Sequence, residues 1–103
     1  MKNKKRIITF SEAIREGLMQ TMKKDRNVLL LGLGVDDPKG IFGTTKNLKK
    51  KFPINRIFDL PTSENSFTGF AIGLALEGKK PVITHQRVEF SMLSMDQIVN
   101  QAA

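Results

Sequence analysis

From Phe10 onward an apolar residue recurs every fourth position, at Phe10, Ile14, Leu18 and Met22. On a helix that spacing gives one apolar face, with Arg15, Lys23 and Lys24 directed outward. Thr9 and Glu12 fit the capping box that opens such a helix, each side chain serving the other's free amide. "DRN" at 25–27 breaks the pattern. "VLLL" at 28–31 is short and continuously apolar, as expected for a strand covered on both faces of a parallel sheet, and Gly32 ends it. The stretch "GLGVDDPKGIFG", 32–43, holds four glycines and a proline and reads as a loop. A short basic helix near 44–51 then returns the chain for a second strand, "RIFDL", 56–60.

From Ser63 to Glu77 the period is helical again, with Phe67, Phe70, Ala71 and Leu74 on one face and Gly78 as the left-handed cap. Gly69 and Gly73 sit inside this helix, each costing about 1 kcal/mol relative to alanine, which predicts another backbone in close approach. "PVIT", 81–84, is a third strand opening on Pro81, where a missing amide does least harm. After the polar stretch "HQRVEF", the residues Met92, Met95, Val99 and Ala102 mark the face of a last helix. Ser94 and Gln97 resemble its capping pair. The chain stops at "NQAA" without glycine, proline or a basic last turn, which predicts a piece of a longer protein.

Helices alternating with short apolar strands indicate an α/β fold, a parallel sheet with helices on both faces and right-handed crossovers. Ligands gather at the carboxyl ends of such strands. Three segments lie there: the glycine loop, "PTSE" after the second strand, and "HQRVEF" after the third.

The total of 103 residues allows one domain and no second, burying roughly two-thirds of the surface its unfolded chain exposes. With 40% hydrophobic and 26% charged residues the composition is that of a packed globular chain. Cysteine is absent, which excludes disulfides, thiolate metal sites and cysteine nucleophiles. The basic N-terminus lacks the apolar stretch of a signal peptide, and no segment approaches the roughly 20 apolar residues that span a bilayer. A cytoplasmic address is the expectation.

A net charge of +7 raises the question of an anionic partner. The lysines cluster as "KNKKR" at 2–6 and "KNLKKK" at 46–51, without interleaved Tyr or Trp. A solvated basic face is the favoured reading, and a nucleic-acid-binding module is the alternative from a different class.

Candidate chemistry is sparse. The glycine loop fails the dinucleotide fingerprint because Asp37 stands where its third glycine is needed, and it lacks the GK[ST] of a phosphate loop. Glu64, taken alone, reads as a helix-start residue, where a carboxylate meets unpaired amides. The single histidine, His85, has no second histidine with which to build a metal site. Gln86 and Arg87 have the chemistry to grip a carboxylate or phosphate. Phe90 reads as core.

The strings "TFSEAIREGL", "NVLLLG", "GIFGTTKNL", "RIFDLPTSE", "GFAIGLALEGKKPV" and "FSMLSMDQIVNQAA" taken together closely resemble one family. It is the N-terminal part of the beta subunit of thiamine-diphosphate-dependent 2-oxo acid dehydrogenases, the pyruvate or branched-chain dehydrogenase E1 beta type, within the transketolase-like group. The resemblance runs from about Thr9 to the last residue. It implies a pyrimidine-binding domain holding the aminopyrimidine of the cofactor, thiamine diphosphate. An alpha-type E1 subunit would supply the diphosphate and Mg2+ site, so that no metal is held here, and a second beta copy would complete a heterotetramer. A lipoyl acyltransferase would accept the acyl group from the 2-oxo acid substrate.

In that family a glutamate matching Glu64 hydrogen-bonds the pyrimidine N1′ and promotes its imino tautomer. A carboxyl group covered by cofactor and partner loses solvation, which suits it to sharing a proton with a weakly basic ring nitrogen. Phe90 matches an aromatic that lines the pyrimidine pocket, and Met95 to Ala103 match a helix that builds subunit contacts.

Two departures stand out. Leu33 lies where the family usually carries an acid, in "GED" or "GEE", which helps link paired active sites. "THQRVEF" replaces a more apolar, phenylalanine-rich stretch, so His85, Gln86 and Arg87 bring polarity to the substrate side, which points either to a different or more polar 2-oxo acid contacted by Arg87 or His85 or to a rearranged surface loop. The expected function is a cofactor half-site, inactive as an isolated chain. The alternative within the group is a transketolase-like enzyme of biosynthesis.

Overall fold

Leu30 has no solvent exposure and marks the centre of the sheet in this computed structural model, which describes residues 5–103. Residues 2–4 of the basic N-terminal run lie outside the described residues. Strand β1 (Val28–Gly32) lies between β2 (Ile57–Phe58) and β3 (Lys80–Thr84), and both pairings are parallel. Leu30 stands opposite Ile57 on one side and Val82 on the other.

Successive strand residues face opposite ways. Val28 and Leu30 pack with Met22 and Leu18 of helix α1 (Phe10–Lys24), joined by Val35, Ile41 and Leu48 from the loop. Leu29 and Leu31 pack with Ala71 and Leu74 of helix α2 (Glu64–Leu76) and with Ile83. The all-buried run "VLLL" thus has a helix over each face, as expected for a doubly covered parallel strand.

Helix α1 opens on the capping box read from the sequence. The Thr9 amide donates to Glu12 Oε2 at 2.7 Å, and the Glu12 amide donates to Thr9 Oγ1 at 3.2 Å. The Thr9 backbone amide, then its hydroxyl, holds the Glu12 carboxyl below the ordinary carboxylate value. A lowered folded value means that the stabilisation is present at neutral pH and is lost as pH falls through that lowered value. Thr9→Ala should cost about 1 kcal/mol, typical of an N-cap loss. Urea midpoints of parent and variant should differ at neutral pH and draw closer in acid without meeting, because the Thr9 hydroxyl also accepts the Glu12 amide.

The apolar face of α1 is in phase but unevenly covered, from Met22 at 0% exposure to Phe10 at 84%. Arg15 is half-buried rather than outward. At about 100° per residue it falls within about 20° of Met22's direction, on the flank of the apolar stripe.

The expected basic helix near 44–51 is absent, and turns connect β1 to β2 there. Phe42 (φ 50), Gly43 (φ 81) and Asn47 (φ 61) take left-handed conformations, which a right-handed helix cannot include. Strand β2 is two residues long instead of five. Arg56 turns its guanidinium onto the carbonyls of Asp25 and Val28, each at 2.8 Å, and Asp59 turns to the glycine loop.

Helix α2 matches the expected span, and Gly78 (φ 82) is its left-handed stop. Of its two internal glycines, only Gly69 meets a neighbour: a Cβ there would lie 3.2 Å from the Gln97 side chain, while Gly73 faces open space. Strand β3 begins one residue before Pro81.

The last segment is not the regular helix that the spacing predicts. It is a 3-10 helix, Val88–Ser94, running into a π turn, Gln97–Gln101. Ser94 and Gln97 do not form a capping pair. Ser94 is fully buried and accepts a hydrogen bond from Thr68 Oγ1 at 2.9 Å, and Gln97 lies against Gly69. Both are drawn onto α2, so the apolar face expected of this helix (Met92, Met95, Val99, Ala102) is instead left exposed. Ser94→Ala would strand the buried Thr68 hydroxyl, and an expected loss of about 1–3 kcal/mol is measurable by chemical denaturation.

Candidate functional site

Helix α2 carries its buried residues on one side: Ala71, Thr68, Phe67 and, in the first turn, Glu64. Glu64 is 8% exposed. A carboxylate needed only to neutralise free amides can do so from the solvent side of a helix start, and this one is turned into the protein instead. The N-cap, Ser63, makes no capping bond and donates to Ser66 Oγ at 2.8 Å.

Phe67, one turn after Glu64, contacts the loop that follows β3. Its ring lies 5.6 Å from that of His85, tilted by 38°. The next two residues, Gln86 and Arg87, are exposed, and the Arg87 guanidinium lies 5.2 Å over the Phe90 ring. Phe90 is half-buried, with one face under that cation.

The connections from β1 run to β2 on one side, and β3 lies on the other. A crevice therefore opens at the carboxyl ends of β1 and β3, the place where open parallel sheets receive ligands. Gly32 makes the two strands' close approach possible there, since a Cβ would lie 2.2 Å from the Thr84 carbonyl oxygen. Above it is a cleft of about 360 Å3, walled by Gly34, Gly40, Ile41 and Phe42 from the glycine loop and by Gln86 and Arg87 from the other side.

Of the residues singled out in the sequence, Gln86 and Arg87 share this cleft, while His85 is drawn toward Phe67. Glu64 stands at the same end of the sheet, one helical turn from the His85 contact. Asp59 was not anticipated. Its Oδ1 accepts the Gly34 amide at 2.5 Å, fastening the glycine loop to the segment that leads into Glu64. The only signal for it was its position near the end of an assumed five-residue strand, whose early termination frees the side chain.

A ring bearing hydrogen-bonding nitrogens fits the chemistry present: Glu64 is a buried carboxylate able to meet a ring edge, Phe67 stands one turn after it, and Phe90 offers an aromatic face in the loop beyond β3. Among the described residues no group of three or more His, Asp or Glu comes together to hold a metal ion. Nor, among them, is any helix long and apolar enough to cross a membrane.

Residues 6–103 match the family model described as "Transketolase, pyrimidine binding domain". The chain is 42% identical over 91 residues to the pyruvate dehydrogenase E1 component subunit beta of Staurastrum punctulatum, which covers 88% of this chain and 28% of that protein. It is 38% identical over 96 residues to the mitochondrial subunit of the same description from Bos taurus, covering 93% and 27%. For Rickettsia bellii the identity is 35% over 96 residues, covering 93% and 30%. The chain thus spans less than a third of the length of these relatives.

Proposed function

Because this chain belongs to the transketolase pyrimidine-binding domain family, we propose that it supplies the pyrimidine half of a thiamine diphosphate site. The enzyme would be the E1 component of a 2-oxo acid dehydrogenase. The observation that carries this reading is Glu64, a carboxylate 8% exposed in the first turn of α2 and on its buried side. The relatives named as pyruvate dehydrogenase E1 beta subunits support it.

When bound, thiamine diphosphate supplies the electron sink for loss of carbon dioxide from a 2-oxo acid. Glu64 would hold or give a proton at the pyrimidine's ring nitrogen, in a setting where lost water strengthens the hydrogen bond. Phe67 braces the loop after β3 through His85. Phe90 offers its uncovered face as apolar contact. Gln86 and Arg87 stand on the substrate side, and Asp59 holds the opposite wall through Gly34. Leu33 brings no titratable group to the end of β1, so proton coupling between paired sites would not pass through it.

An alpha-type subunit would provide the diphosphate and Mg2+ site, a second beta copy would complete a heterotetramer, and a lipoyl acyltransferase would take the acyl group. The 103 residues alone should show negligible decarboxylation. A cytoplasmic address belongs to this reading, although the mammalian relatives are named mitochondrial.

Native mass spectrometry of the full-length protein from its own cells tests the half-site directly. The expected result is a complex with a second polypeptide that carries thiamine diphosphate and magnesium. A lone chain or homo-oligomer devoid of the cofactor would overturn the proposal.

A further inference from the structure

Two hydrogen-bond donors reach the crevice between β1 and β3. The first is the Gln86 amide, whose nitrogen lies 3.2 Å from where a side chain on Gly34 would begin. The second is the Arg87 guanidinium, stacked 5.2 Å over Phe90. Stacking orients the guanidinium plane and leaves its edge N–H groups available to a ligand.

Asp37 lines the same cleft, yet its Oδ1 accepts the Lys39 amide at 2.7 Å within its own turn. Among the described residues the ion pairs are Arg6–Glu16, Lys49–Asp36 and Lys80–Asp25, so Arg87 is in contact with no carboxylate, and Asp37 is the acid that shares the cleft with it. Ile41 and Phe42 form an apolar wall, and the cleft of about 360 Å3 has room for a small anionic group with its carbon stem.

We infer that this crevice is a specificity pocket for a second anionic group on the substrate, a carboxylate or phosphate remote from the reacting 2-oxo acid end. The inference rests on the function proposed above and adds the substrate class. A planar fork beside an amide donor matches a pair of oxygens on one anion, and the apolar wall suits the stem that carries it. The His85–Phe67 contact, at 5.6 Å, ties the loop bearing both donors to the helix that bears Glu64. Pocket and acid therefore stand at the same end of the sheet.

The test uses the full-length protein assembled with its partner. Calorimetric titration compares glutarate with butyrate, and methyl phosphate with methanol, as probes of the two anion sources. Glutarate or methyl phosphate should bind, and Arg87→Ala should weaken that binding by roughly 10- to 100-fold, the scale of a charge-assisted hydrogen bond. Arg87→Lys should recover part of it. The stronger of the two probes identifies the group as carboxylate or phosphate.

If glutarate is the stronger, 2-oxoglutarate should exceed pyruvate in kcat/KM, with the preference lost in Arg87→Ala mainly through KM. Glutarate binding no tighter than the monoanion butyrate together with methyl phosphate binding no tighter than methanol, or binding indifferent to Arg87→Ala, would overturn the pocket without touching the half-site reading. Arg87-dependent anion binding in a preparation that decarboxylates no 2-oxo acid would keep the pocket and overturn the half-site reading.

Discussion

Glu64→Gln in the assembled full-length protein is expected to lower thiamine-diphosphate-dependent turnover by about 100- to 10,000-fold, the range for loss of a positioned proton-transfer group. Glutamine keeps the shape of the side chain and can still hydrogen-bond, but it cannot take up and return a proton. Cofactor binding, followed by calorimetry, should therefore weaken far less than kcat falls. The thermal midpoint should hold, because glutamine keeps the volume of a buried side chain. If Glu64 only neutralised the helix start, the outcome would be reversed: stability would drop by about 0.3–1 kcal/mol and turnover would be unchanged. The two outcomes separate the roles of one residue whose place in the sequence suits both.

The second large effect is structural. Gly32→Ala should destabilise the protein by roughly 3 kcal/mol or more. Gly32 has φ 143, and an added Cβ would stand 2.2 Å from the Thr84 carbonyl oxygen and 3.1 Å from its carbon. These atoms are backbone, so no side-chain rotation relieves the clash, and β1 and β3 must part where the ligand crevice opens. Anion binding should be lost together with stability. Gly17→Ala is the control. A Cβ there meets nothing within 4 Å, and helix propensity predicts a gain of up to about 1 kcal/mol. Denaturant midpoints of the two variants should therefore move in opposite directions, and a Gly32→Ala protein as stable as its parent would contradict the close approach of the strands.

Local signals were legible where one residue or one short pattern suffices. The capping box at Thr9, the buried run at 28–31 and the left-handed stop at Gly78 all stand in the structure because each depends on neighbours along the chain. The resemblance carried further than the spacing did. It singled out Glu64 among the acids, whereas spacing could say only that an acid opened a helix. Composition alone left the +7 charge pointing at no particular partner.

What failed was the reading of segments whose conformation is settled by distant contacts. The stretch 44–51 has helix-favouring lysines, yet burial of Leu48 and Thr45 against the core draws it into turns with Asn47 left-handed. Ser94 and Gln97 have the spacing of a cap, but a buried hydroxyl partner on Thr68 and the open side of Gly69 draw both onto α2.

By itself, the order of apolar and polar residues determined a parallel α/β sheet covered on both faces, because strand and helix periods are written locally. Only the tertiary structure decided that Glu64 faces inward, that Asp59 clasps Gly34, and that Arg87 stands over Phe90 and parts from His85. Those facts depend on how residues far apart in the chain meet at one end of the sheet, and no local period encodes such meetings.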